Sequence, residues 1–153
     1  MKIARILAFI CGATAVSTKY VTRLVQPTIT LYSPNGRHLK ISESGKVSST
    51  KVLGHPLADL TLVVVGDNKF FIQGVLSGKY LAESGRGRLY AVNDRNLATK
   101  FTEAHLDNYF NQYRLVRDEK CSLSLSKRGS VRVRCNKKCS NSYLLPRRTH
   151  QRL

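Results

Sequence analysis

The chain has 153 residues, enough for one domain with a real core and too few for two sizeable ones. Its 26 Lys and Arg against 9 Asp and Glu give a formal charge of +17, a one-sided field that suits a polyanionic partner. Four cysteines rule out a disulfide-dense scaffold, so a hydrophobic core has to carry the stability.

Met1, Lys2 and Arg5 make a basic start, Ile6 to Ala15 an apolar run, and Ala13 and Ala15 a small-x-small cleavage signal, so residues 1–15 read as a secretory signal peptide. The run is too short to span a bilayer comfortably. Residues 16–27 read as a flexible, largely polar arm. The expected product is secreted and extracellular, with no membrane insertion once the signal is removed. In that compartment the polyanion is a sulfated glycan rather than nucleic acid, although both bind basic proteins by releasing counterions.

Without Cys11, an odd number of cysteines remains, namely Cys121, Cys135 and Cys139, which leaves at least one thiol unpaired or joined to another chain. Cys135 and Cys139 flank Asn136, Lys137 and Lys138, and a bridge between them is geometrically allowed. Cys121 opens an alternating run and suits a small core position. Three thiols without a histidine in the same segment form a poor zinc set, so no metal is expected.

Apolar alternation predicts a first strand over Thr28 to Tyr32, a turn at Ser33 to Gly36, and a returning strand over His38 to Ile41. Gly45 precedes Val47, and Ser48 to Gly54 reads as loop. Leu57 to Val65 is a long apolar strand, turned at Gly66 to Asn68 into Phe70 to Val75. Tyr80 to Ala82 and Arg88 to Ala91 flank the next glycine turn, and Ala91 to Phe101 reads as loop or short turn. Phe101 begins another apolar stretch, followed by strands over Tyr113 to Val116 and Cys121 to Leu125, with Leu144 and Leu145 stopped by Pro146. Leu39, Gly45 and Val47 recur as Leu81, Gly87 and Leu89 and again as Leu123, Gly129 and Val131, a 42-residue period both times. Three such units fit a closed threefold all-β architecture.

An enzyme reading finds no support, because His38, His55 and His105 are dispersed and no carboxylate pair recurs. Leu76 to Lys79 lacks the glycines and hydroxyl residue of a phosphate-binding loop, and no nucleic-acid-binding motif is present.

The segments LYSPNGRHLKISESGKV (31–47), FFIQGVLSGKYLAESGRGRLYA (70–91), FTEAHLDNYFNQY (101–113) and the closing LLP (144–146) closely resemble the fibroblast growth factor family of secreted receptor ligands. The likeness covers residues 28–146, nearly the whole chain after the leader, and leaves residues 147–153 as a basic tail. The irregular C-terminal segment fits a divergent invertebrate or virus-borne member. The resemblance implies a β-trefoil, three four-strand units of which six strands close a barrel and six form capping hairpins. It implies a growth factor that binds and activates a receptor tyrosine kinase through the receptor ectodomain, with heparan sulfate or heparin as polyanionic co-receptor and no other cofactor. The alternative is a carbohydrate- or matrix-binding β-trefoil without receptor signalling.

Carried over residue by residue, the resemblance places receptor contacts on Tyr32, Asn111, Tyr113 and Leu145. It places glycan contacts on Asn35, Lys127, Arg128 and Arg132, with Arg134, Lys137 and Lys138 extending the patch. Two rings and an aliphatic side chain suit a compact interface anchor. Arginine and lysine suit sulfate through paired hydrogen bonds and compact charge respectively. Three departures stand out: Leu106 where the family carries a carboxylate, with Asp107 adjacent; Ser126 where a basic residue is common; and Arg147 where the family position is often apolar.

Overall fold

The computed structural model describes residues 27–136 and 140–149. The leader, nearly all of the arm, Lys137, Lys138, Cys139 and the last residues of the tail lie outside the described residues.

Twelve short strands follow one another with three single turns of 3₁₀ helix between them. The first unit holds β1 (Ile29–Tyr32), β2 (His38–Ile41), β3 (Val47–Thr50) and β4 (Leu60–Gly66). The second holds β5 (Lys69–Gly74), β6 (Tyr80–Glu83), β7 (Leu89–Val92) and β8 (Phe101–His105). The third holds β9 (Asn111–Leu115), β10 (Asp118–Leu125), β11 (Val131–Cys135) and β12 (Leu145–Arg148).

Antiparallel pairing runs from β12 to β1, β4, β5, β8 and β9 in turn. A bridge between Asn111 and Leu144 brings β9 back to the start of β12 and closes the ring. The remaining strands form the hairpins β2–β3, β6–β7 and β10–β11. Six barrel strands capped by three hairpins make a β-trefoil.

The 42-residue period is visible in the register. Ile41 faces Val47, Glu83 faces Leu89, and Leu125 faces Val131. Leu39, Leu81 and Leu123 are fully buried together where the three hairpins meet the core. Each turn also reaches the next unit: Gly45 accepts a hydrogen bond from the Ala91 N–H (3.0 Å), and Gly87 accepts one from the Val133 N–H (2.9 Å). The third seam is different, because Gly129 accepts from the Ser49 hydroxyl (3.0 Å) rather than from backbone. At Gly87 the backbone φ is +83°, and a Cβ there would sit 2.5 Å from the Val133 carbonyl oxygen, so only glycine fits this turn and this seam.

Three local expectations differ from the structure. Ser48 to Thr50 is strand rather than loop, paired with Lys40 to His38. Pro146 does not stop the last strand: β12 continues to Arg148, so the tail residues Arg147 and Arg148 belong to the sheet, opposite Thr30 and Ile29. Proline is tolerated because, among the described residues, β12 pairs with β1 alone, and a missing N–H on the open edge costs no ladder bond. Finally, Cys135 bonds to Cys121 rather than to Cys139. The two are direct register partners on β10 and β11, a proximity set by the hairpin that joins them across a sequence separation of 14.

Candidate partner-binding faces

The basic face is assembled where the first turn meets the last hairpin. Asn35 donates from Nδ2 to the Leu125 carbonyl (2.9 Å), and its Oδ1 accepts from the Arg37 N–H (3.2 Å). Arg37, not singled out from the sequence, donates from Nε to the Lys127 carbonyl (2.9 Å) and from Nη1 to Ser49 Oγ (3.3 Å). A Cβ on Gly129 would lie 3.0 Å from the Arg37 guanidinium, so glycine also makes room for this strut. Asn35 therefore braces the Ser126–Ser130 turn with an amide already engaged by protein.

Lys127 and Arg128 stand exposed at the tip of that turn, and Arg132 and Arg134 are exposed because β11 alternates with Val131 and Val133 facing inward. Ser126, at a place where the resemblance expects charge, instead closes the turn through its hydroxyl to Ser130. Arg88 is bridged to Arg132, adding a further cation that a linear reading separates by 44 positions. Among the described residues the only ion pairs are Arg117 with Glu83 and His105 with Glu103, so none of these basic groups is neutralised by a carboxylate. Lys137 and Lys138 lie outside the described residues.

The second face lies on β1 and β12. Tyr32 and Leu145 are register partners, and the Leu144 backbone exchanges two 2.8 Å hydrogen bonds with Asn111. The backbones of Tyr32, Leu145 and Asn111 thus lie close together. Tyr143, Leu145 and Arg147 lie on one side of the last segment, with Leu144 fully buried between them. Arg147 sits over the Tyr32 ring at 5.2 Å, within cation–π range.

Tyr113 does not join this surface. It is fully buried, edge-on to Phe70 at 6.0 Å, and its hydroxyl donates to Glu103 Oε2. Burial above all, and then the Glu103 carboxylate beside it, push its phenol far above the ordinary range. The reason is strand parity: β9 alternates with Asn111, Tyr113 and Leu115 inward and Gln112 and Arg114 outward. The Asn111 side chain is itself nearly covered, its Oδ1 held 2.8 Å from His105 Nδ1. The surface ring of this segment is Phe110, stacked on Tyr143 at 6.4 Å and 28°, and Tyr109 beyond it is 91% exposed at the tip of the β8–β9 turn. Leu106 starts that turn, accepting from the Tyr109 N–H, while Asp107 stands exposed.

His38, beside Tyr32 at 5.2 Å between ring centroids, is buried. Burial first, and the Arg147 charge as well, hold its imidazole below the usual histidine pKa, against the opposing pull of the Thr50 carbonyl. Among the described residues no cluster of three or more His, Cys, Asp or Glu is arranged to hold a metal, and no helix is long and apolar enough to cross a membrane.

Twelve strands with a basic face free of ion pairs among the described residues and an aromatic face define an all-β protein of the β-trefoil class. The family model described as fibroblast growth factor matches residues 28–143. The chain belongs to the fibroblast growth factor family. It is 32% identical over 103 residues to fibroblast growth factor 3 of Gallus gallus, covering 66% of this chain and 47% of that protein. It is 29% identical over 106 residues to fibroblast growth factor 1 of Cynops pyrrhogaster (67% and 72%), and 31% identical over 122 residues to fibroblast growth factor 5 of Homo sapiens (73% and 45%). Two of these three relatives are thus matched over less than half of their own length.

Proposed function

We propose that this growth factor is a secreted ligand that binds and activates a fibroblast growth factor receptor tyrosine kinase, with heparan sulfate as co-receptor. The observation that carries the reading is the presence of two faces on one rigid barrel. The basic face, from Arg37, Lys127 and Arg128 to Arg88, Arg132 and Arg134, has no carboxylate of its own to satisfy it and suits sulfate. The second presents a row from the Phe110–Tyr143 stack through Leu145 to Tyr32, rings and an aliphatic side chain of the kind that anchor protein interfaces. A glycan chain holding ligand and receptor together raises their effective concentration and favours receptor pairing without any chemistry in the ligand. The described residues offer no arrangement that calls for a catalytic role, and kinase activity belongs to the receptor.

The test is binding of the full chain to a fibroblast growth factor receptor ectodomain, with and without heparin oligosaccharide, for the wild type and Tyr32→Ala. The expected result is heparin-assisted binding that falls roughly 30-fold in the folded variant, the loss of an anchor of about 2 kcal/mol. Heparin binding with no receptor binding would favour a matrix- or carbohydrate-binding β-trefoil instead.

A further inference from the structure

Arg147 is the feature of the receptor-facing row that the resemblance does not account for, since the matching position is often apolar. Its place follows from register. Opposite Thr30 on β1, and two residues beyond Leu145 on β12, it lies on the same outward side as Tyr32. Its guanidinium lies over the Tyr32 ring, which orients the charge without neutralising it. Neither Arg147 nor Arg148 is ion-paired among the described residues.

Beside this pair a cleft of about 550 Å³ opens along the same β1 face that carries Tyr32, floored by Thr28 and Thr30. One wall is apolar, from Leu53 and Val75, which are 75% and 48% exposed, and the rim is formed by Arg147 and Arg148. Asp59 is the one carboxylate lining it, and the buried His38 is the other titratable group. Two guanidinium groups against one carboxylate leave the cleft positive. Its floor is continuous with the Tyr32–Leu145 pair, so a partner seated on that pair reaches the cleft without leaving the surface.

We infer that Arg147 is a specificity-determining residue, and that the receptor ectodomain docking on Tyr32 and Leu145 places a carboxylate-bearing apolar segment in this cleft, with the carboxylate against Arg147. The inference rests on the receptor reading above and names the chemistry of the partner at that face. A guanidinium suits the task because it donates two parallel hydrogen bonds to a carboxylate while its flat side stays on the tyrosine ring, which an ammonium cannot do. An apolar residue at this position, as the family often has, cannot make that pair. Arg147 therefore selects receptors bearing the acid over those presenting a neutral surface.

The experiment compares full-length wild type with Arg147→Leu, Arg147→Lys, Arg147→Glu and Tyr32→Ala, each verified as folded by circular dichroism. Affinity for a panel of fibroblast growth factor receptor ectodomains is read over a series of NaCl concentrations, and retention on a heparin column is read in parallel. For the best-bound receptor, Arg147→Leu is expected to weaken binding ~10-fold and flatten its salt dependence, with Arg147→Lys intermediate and Arg147→Glu weaker by ~100-fold. Heparin retention should change little across the set. Arg147→Leu binding as tightly as wild type while Tyr32→Ala fails would overturn the role of Arg147 and leave the receptor reading standing. Loss of heparin retention with receptor affinity intact would also overturn it, by making Arg147 a glycan contact. A wild type that binds heparin but none of the receptors would overturn the receptor reading and this inference with it.

Discussion

Tyrosines 32 and 113 occupy opposite environments: one ring lies on the outer face under Arg147, while the other is sealed in the core against Phe70 and Glu103. Replacing Tyr113 with alanine is expected to cost about 3–5 kcal/mol of stability in urea unfolding, and with phenylalanine only about 1 kcal/mol, the hydroxyl bond alone. A full-strength fold in Tyr113→Ala would contradict the burial described above. The pH response of His38 has a definite sign. Burial holds its folded pKa below the usual histidine value, so the unfolded chain takes up a proton first as pH falls. The contribution of neutral His38 is therefore present above that value and is lost as the pH falls from it through the lower, folded pKa. In His38→Gln the slope of stability against pH across this interval should be shallower than in wild type. Glu83 acts lower on the pH scale. Burial alone would raise its pKa, but hydrogen bonds from the Gly87 N–H, Arg117 and the Gly85 N–H outweigh it and hold the carboxyl below its usual range.

Among the elements, the β10–β11 hairpin links the core to the basic face, since its inward residues Leu123, Leu125, Val131 and Val133 are buried while Arg132 and Arg134 point out. The Cys121–Cys135 bond fastens its open end and closes a loop with a sequence separation of 14. Closing a loop of that size removes chain entropy worth about 3 kcal/mol, so the Cys121→Ser/Cys135→Ser variant should unfold at correspondingly lower urea, and reductant should do the same to the wild type. If neither lowers the midpoint, the bridge is not holding this hairpin. Local patterns in the sequence foretold the hairpins well, because a glycine at positive φ and its flanking apolar pair are decided within a few residues. Gly45, Gly87 and Gly129 could be read at 42-residue spacing before any contact was known. Features that depend on a distant partner were less accessible. The pairing of Cys135 required the β10–β11 register, and the tolerance of Pro146 required knowing that β12 has an open edge. The inward parity of Tyr113 did have a signal, the polar Gln112 and Arg114 on either side of it, which marks the opposite face of that strand as the wet one.

On the scale of the whole molecule, the two faces depend on contacts between the first unit and the third. Asn35 and Arg37 hold the Ser126–Ser130 turn, and Tyr32 meets Leu145, so residues of the basic face and of the aromatic row alike are set by the same junction. Both faces gather residues well separated in sequence, which is why Arg37, Arg88 and Phe110 were not legible as members of either. The junction between β1 and β12 has one further consequence. Ile29 finds Arg148 only by closing nearly the whole described chain into a loop, among the contacts of the barrel most expensive in chain entropy. A chain in which β1 and β12 have not met carries every residue of the aromatic row without assembling the row, so that surface reports on completion of the fold itself.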